Sequence, residues 1–128
     1  MSKNRILIID DEKDLCFFLK ANLEARGNYV VKVASSGEDG LYLAERFKPH
    51  LIILDIMMPV MDGFKVLEEL KKNPKTMAIP ALMLSAKHDD ESKIEASGLY
   101  CEGYVTKPVQ IDDLRNRIRK ILKLRKLK

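Results

Sequence analysis

The sequence predicts an α/β domain built on a doubly wound parallel sheet of five strands in the order 2-1-3-4-5. Three observations predict it. Apolar runs of strand length alternate with amphipathic stretches of helix length along the chain. The runs ILII, LIIL and ALML are continuously apolar, as strands buried on both faces are. YVVKVA is interrupted by Lys32, and GYVT is short and polar at its end, which suits strands at the edges.

Each element follows in order. Residues 5–10 (RILIID) read as the first strand. Residues 14–26 carry Leu15, Phe18, Leu19 and Leu23 at helical spacing, and Gly27 stops that helix. Residues 29–34 (YVVKVA) form the second strand. Ser35-Ser36-Gly37-Glu38 then offers a Ser-x-x-Glu start to a helix that runs to about Phe47 and is closed by Pro49. Residues 51–55 (LIILD) are the third strand. Asp62 caps a helix over 63–72, with Phe64, Leu67 and Leu70 inward. Residues 80–85 (PALMLS) are the fourth strand, 89–97 a short polar fourth helix, and 103–106 (GYVT) the fifth strand. Ile111, Leu114, Ile118, Ile121 and Leu122 form one face of a last helix over about 111–127. The right-handed crossover rule and the central place of strands 1, 3 and 4 give a flavodoxin-like (βα)5 order.

The 128 residues fit a single domain over 1–128 with a core of its own. No run is long enough for a signal-peptide core or a membrane span, so the expected location is cytoplasmic. Cys16 and Cys101 form no CxxC pair, which argues against a zinc site. The net charge of +4 is uneven: residues 115–128 hold 8 basic and no acidic residues, and the other 114 residues hold 15 basic against 19 acidic. A nucleic-acid reading would therefore rest on the last helix alone.

In the predicted order the winding reverses between strands 1 and 3, and ligands of such sheets bind beyond the carboxyl ends of the strands at that switch point. Asp10 and Asp11 follow strand 1, and Asp55 ends strand 3. Ser85 ends strand 4 and Lys107 follows strand 5. Singly, each has a plain reading: helix-capping acids, a strand-end serine, a solvated lysine. Jointly, three carboxylates repel one another and call for a hard divalent cation with oxygen ligands. Mg²⁺ is the natural candidate, with Mn²⁺ a substitute. A phosphoryl group brought to Asp55 would be neutralised by that cation and by Lys107, which leaves Asp55 as the nucleophile. The turn DDEKD has no glycine-rich cradle, so neither a dinucleotide fingerprint nor a P-loop is present.

The acid pair in ILIIDDE, the segment DIMMPVMDG, the hydroxyl of LMLSA and Lys107-Pro108 in YVTKP resemble the receiver domains of bacterial two-component response regulators over essentially the whole chain. The resemblance implies a phosphorylation-dependent switch that is not an enzyme with a diffusible substrate. Asp55 would accept a phosphoryl group from a sensor histidine kinase or histidine phosphotransfer protein. Asp11 and Asp55 would bind Mg²⁺ directly, Asp10 through water, and Met57 through its backbone carbonyl. Ser85 would bond the phosphoryl oxygen, Tyr104 would swing inward, and the surface of the fourth helix, fifth strand and last helix would change for a downstream target or output domain. A cis Lys107–Pro108 bond and either a monomer or a phosphorylation-dependent dimer follow from the same likeness.

Two departures stand out. Met57 and Lys87, two residues after Asp55 and Ser85, occupy positions where the family often has polar or acidic side chains, and an apolar Met57 predicts slow autodephosphorylation. Met57 also argues against a Mg²⁺-dependent aspartyl-phosphate phosphatase of the haloacid dehalogenase type, which needs an acid there. His50 is expected at the far end of the sheet and His88 in a solvated loop. The basic last helix is read first as a domain helix, second as the start of a linker to an output region, and third as a nucleic-acid contact.

Overall fold

The computed structural model describes residues 3–86 and 100–126. Its order is β1 (Asn4–Ile9), α1 (Lys13–Glu24), β2 (Tyr29–Ala34), α2 (Gly37–Phe47), β3 (Leu51–Asp55), α3 (Gly63–Lys72), β4 (Ala81–Ser85), β5 (Gly103–Thr106) and α4 (Ile111–Lys126). The helix expected over 89–97, with Lys87 and His88, lies outside the described residues.

All strand pairs are parallel and the sheet order is β2-β1-β3-β4-β5, as expected. Alternation of side chains sends the central strands' residues to two separate cores. Ile6, Ile8, Leu51, Ile53, Leu82 and Leu84 pack against Leu19 and Leu23 of α1 and Leu114 and Ile118 of α4. Leu7, Ile9, Ile52, Leu54 and Met83 pack on the other face against Ala44 of α2 and Val66, Leu67 and Leu70 of α3. Every residue of β3 and β4 is buried. Each Leu or Ile so placed contributes roughly 1.5–3 kcal/mol, so β3 is a rigid rod that ends on Asp55.

The local signals work at residue level. Asp62 caps α3 by accepting from Lys65 N–H at 2.9 Å. The cap of α2 is one residue later than expected: Ser36, not Ser35, accepts from Asp39 N–H at 3.1 Å. The reason is packing. Gly37 is buried, and a Cβ on it would stand 2.8 Å from Val66 Cγ2, so Gly37 becomes the first helical residue and the serine before it the cap. Gly27 follows α1 at φ 76°, but α2 ends on Lys48, whose φ of 51° is left-handed without a glycine. Arg5 supports that end: its Nε and Nη2 donate to Lys48 O at 3.0 and 2.7 Å, and Nε also reaches Phe47 O at 3.0 Å.

At the edge, β2 would offer bare backbone groups to solvent. Lys20 and Glu24 of α1 cover them at Val31, whose carbonyl accepts from Lys20 Nζ at 2.7 Å and whose N–H donates to Glu24 Oε2 at 3.0 Å.

Candidate functional site

The site lies at the carboxyl ends of β1, β3, β4 and β5. Asp10 directly follows β1, and its N–H donates to Ala34 O at 3.0 Å, which continues the sheet's ladder by one bond. Its side chain is wholly buried, and Oδ1 accepts from Glu12 N–H at 2.9 Å. Asp55 closes β3 and is 3% exposed. Suitably placed carboxylate oxygens of Asp10, Asp11 and Asp55 all lie within 4.8 Å of one another. Lys107 follows β5, fixed by its N–H donating to Ser85 O at 2.8 Å, and its bond to Pro108 is cis. Its ammonium stands 3.0 Å from Asp55 Oδ1, 3.4 Å from Asp10 Oδ2 and 2.8 Å from Glu12 Oε1.

The electrostatics follow from burial and crowding. Loss of water pushes the Asp55 carboxyl up to about 7, and the charge of Asp10 adds to the rise against the opposing pull of Lys107. Asp10 is raised as well, chiefly by burial, although the Glu12 N–H and Lys107 oppose the rise. Burial pulls Lys107 down, but its carboxylate partners Glu12, Asp55 and Asp10 outweigh that and raise it. Cys16, whose thiol donates to Asp10 O at 3.3 Å, is pushed to about 12 by burial and by the charges of Asp10 and Asp55, so it stays a neutral packing thiol.

These features form a test for a cation. Asp10 Oδ2 is buried without a hydrogen-bond partner, its contact with Lys107 being an ion pair only. Orphaned buried oxygens in native sites call for an explanation such as an ion. One lysine also leaves the trio short of positive charge. Hard carboxylate oxygens converging from two strand ends are what Mg²⁺ or Mn²⁺ accepts, so the residues present fit such an ion.

Residues 6–119 match the family of the response regulator receiver domain. The chain belongs to that family. As a receiver domain it shares 39% identity over 119 residues with the Bacillus subtilis alkaline phosphatase synthesis transcriptional regulatory protein PhoP, covering 93% of this chain and 48% of that one. Protein PilH of Pseudomonas aeruginosa is 36% identical over 118 residues, covering 92% and 97%. The crystal structure of a response regulator receiver domain protein from Clostridium thermocellum superposes with a TM-score of 0.87 at 31% identity, covering 97% and 98%. This receiver spans about half the length of the transcriptional regulators it first matches, 48–50%, and nearly all of PilH.

The fold brings together four of the expected residues, Asp10, Asp11, Asp55 and Lys107. Ser85 ends β4 one position past the Asp55–Leu84 register pair, which sets it beside the acid end of β3. Tyr104 lies on β5, half-buried against the core of α2 and α3, and its carbonyl accepts from Arg117 Nη1 at 3.0 Å. Met57 is 65% exposed in the loop after β3. His50 is far from the site, as expected, with its Nδ1 accepting from Arg5 N–H at the start of β1. Among the described residues no helix is long and apolar enough to cross a membrane.

Two contributors escaped the sequence reading. Glu12 reaches Lys107 across 95 positions of sequence, which only the fold can show. Gly63 presses its backbone against Asp55, and its N–H donates to Ile56 O at 2.7 Å. Here a signal existed: a glycine directly after the capping Asp62 marks a close approach.

Proposed function

We propose that this receiver domain accepts a phosphoryl group on Asp55, with Lys107 and a divalent cation neutralising the transferred charge. The single observation that carries the reading is the Asp55–Lys107 contact of 3.0 Å inside a three-carboxylate cluster whose Asp10 and Asp55 are buried. Asp10, Asp11 and Asp55 would hold Mg²⁺, or Mn²⁺ in its place, with the Met57 carbonyl as a further oxygen. The cation would supply charge to the phosphoryl oxygens and lower the repulsion among the acids. Asp55 forms the new O–P bond while the donor's leaving atom, the imidazole nitrogen of a phosphohistidine or the acetate oxygen of acetyl phosphate, keeps the electron pair of the broken one. Lys107 meets an equatorial oxygen, and Ser85 donates its hydroxyl to another. Tyr104 then turns further inward and the surface around β5 and α4 changes.

The donor would be a phosphohistidine of a sensor kinase or phosphotransfer protein in the cytoplasm. The receiver of the signal would be a downstream target or an output domain, with nucleic acid reached only through such a domain. Incubation with acetyl phosphate, with and without Mg²⁺, followed by intact mass measurement tests this. One phosphoryl adduct is expected, dependent on Mg²⁺ and absent in Asp55→Asn. An adduct that persists in Asp55→Asn would refute it.

A further inference from the structure

Glu12 occupies the N-cap of α1 with an extended backbone, yet its carboxylate accepts no hydrogen bond from that helix. Its Oε1 takes Lys107 Nζ at 2.8 Å, the shortest of the three carboxylate contacts that this ammonium makes among the described residues. The backbone beneath is fixed, because Glu12 N–H donates to Asp10 Oδ1. The two partners differ in exposure: the Glu12 side chain is 59% exposed, that of Lys107 only 18%. The lysine is thus drawn between two buried acids inside the site and one carboxylate at its rim.

We propose that Glu12 is a positioning residue that holds Lys107 toward the rim of the resting site and competes with the incoming phosphoryl group for its ammonium. The inference rests on the reading of Asp55 as phosphoryl acceptor. When the P–O bond to acetate breaks, acetate leaves with the electron pair and Asp55 forms the new O–P bond. The charge on the phosphoryl oxygens then needs the ammonium that Glu12 also holds. A rim carboxylate that keeps a share of Lys107 slows that step, and its loss speeds it. An ion pair with one largely exposed partner supports a change of about twofold to fivefold.

Two substitutions separate contact from charge. Glu12→Gln keeps the shape and removes the charge. Glu12→Asp keeps the charge but is one methylene shorter and is a favoured N-cap, so it turns to the helix N–H groups and lets Lys107 go. In metal-free protein with chelator, lysines are acetylated with an N-hydroxysuccinimide ester and the peptides weighed. Lys107 is expected to react about twofold to fivefold faster in both variants. Lys71, held by the carbonyls of Met77 and Ile79, serves as the internal control and stays unchanged. With acetyl phosphate and Mg²⁺, the initial rate of adduct formation is expected to rise in both variants by the same factor. Wild-type labelling of Lys107 in either variant overturns the inference, and so does an unchanged rate. A faster Glu12→Gln beside a wild-type Glu12→Asp also overturns it, since through-space charge then suffices. If the wild-type protein gains no adduct, the acceptor reading falls and this one with it, whatever the labelling shows.

Discussion

Asp10 is wholly buried with one oxygen unbonded. Its carboxylate and that of Asp55 are both raised on folding, Asp55 from 3.8 to about 7. A carboxyl raised in this way binds its proton more tightly folded than unfolded. Its favourable contribution is complete below pH 4 and is lost as pH rises through about 7. Asp10→Asn keeps the acceptor for Glu12 N–H and removes the repulsion on Asp55. In chelator, melts at pH 7.5 should show the variant more stable by about 1–2 kcal/mol, an advantage that shrinks toward pH 4. With Mg²⁺ the order should reverse, because only the wild type gains the full ligand set. A variant less stable than wild type in chelator at pH 7.5 would contradict the raised pair. At Met57 the argument is about water. Its exposed thioether offers no strong hydrogen bond to a hydrolysing water. We expect Met57→Asn to shorten the phosphoryl lifetime several-fold, read as adduct decay by intact mass; a lifetime of seconds in both proteins would end that idea.

At the scale of elements, β3 and α3 act as one unit through Gly63. A Cβ there would fall on the Asp55 carbonyl oxygen and 2.8 Å from Ile56 Cα, and its nearest neighbours are all backbone, which cannot swing aside. Gly63→Ala is expected to cost about 1–3 kcal/mol and to slow acetyl phosphate labelling even where melts show the protein fully folded, since the strand end itself is displaced. Full labelling at wild-type rate would mean that the loop, not Asp55, absorbs the strain. The same elements show what sequence can carry. The bounds of β3, α3 and β5 match because unbroken apolar runs, an Asp cap and a short polar-ended run are local signals. Helix α1 ends at Glu24, two residues before the expected end. The cap at Ser36 and the left-handed Lys48 were not legible, because Val66 and Arg5 decide them from distant parts of the chain. The site residues were legible as strand ends, whereas the Glu12–Lys107 contact exists only once β1 and β5 stand in one sheet.

For the whole molecule, the uneven charge raises the question of where the domain stops. Helix α4 is bound to the body by Leu114, Ile118 and Leu122, all buried on the face shared with α1. Arg115 and Arg117 add bonds to the Asn22 and Tyr104 carbonyls. Past Leu122, Leu124 is 62% exposed and Arg125 is half-buried. The family match ends at residue 119, within the anchored part. Packing therefore holds α4 as a domain helix up to Leu122, and Lys123 and Leu124 beyond it are exposed. Two truncations separate these parts. Removing residues 124–128 takes away Arg125, Lys126 and Lys128, lowers the net charge from +4 to +1, and should move stability by no more than about 0.5 kcal/mol. Removing residues from 118 onward takes Ile118 and Leu122 out of the core that α4 shares with α1 and should cost about 2–5 kcal/mol for each large side chain lost, enough to unfold a domain of ordinary stability. Thermal melts followed by circular dichroism read both. A drop of many degrees on losing 124–128 would show that the domain needs its basic end, and α4 would then have to be packed along its full length.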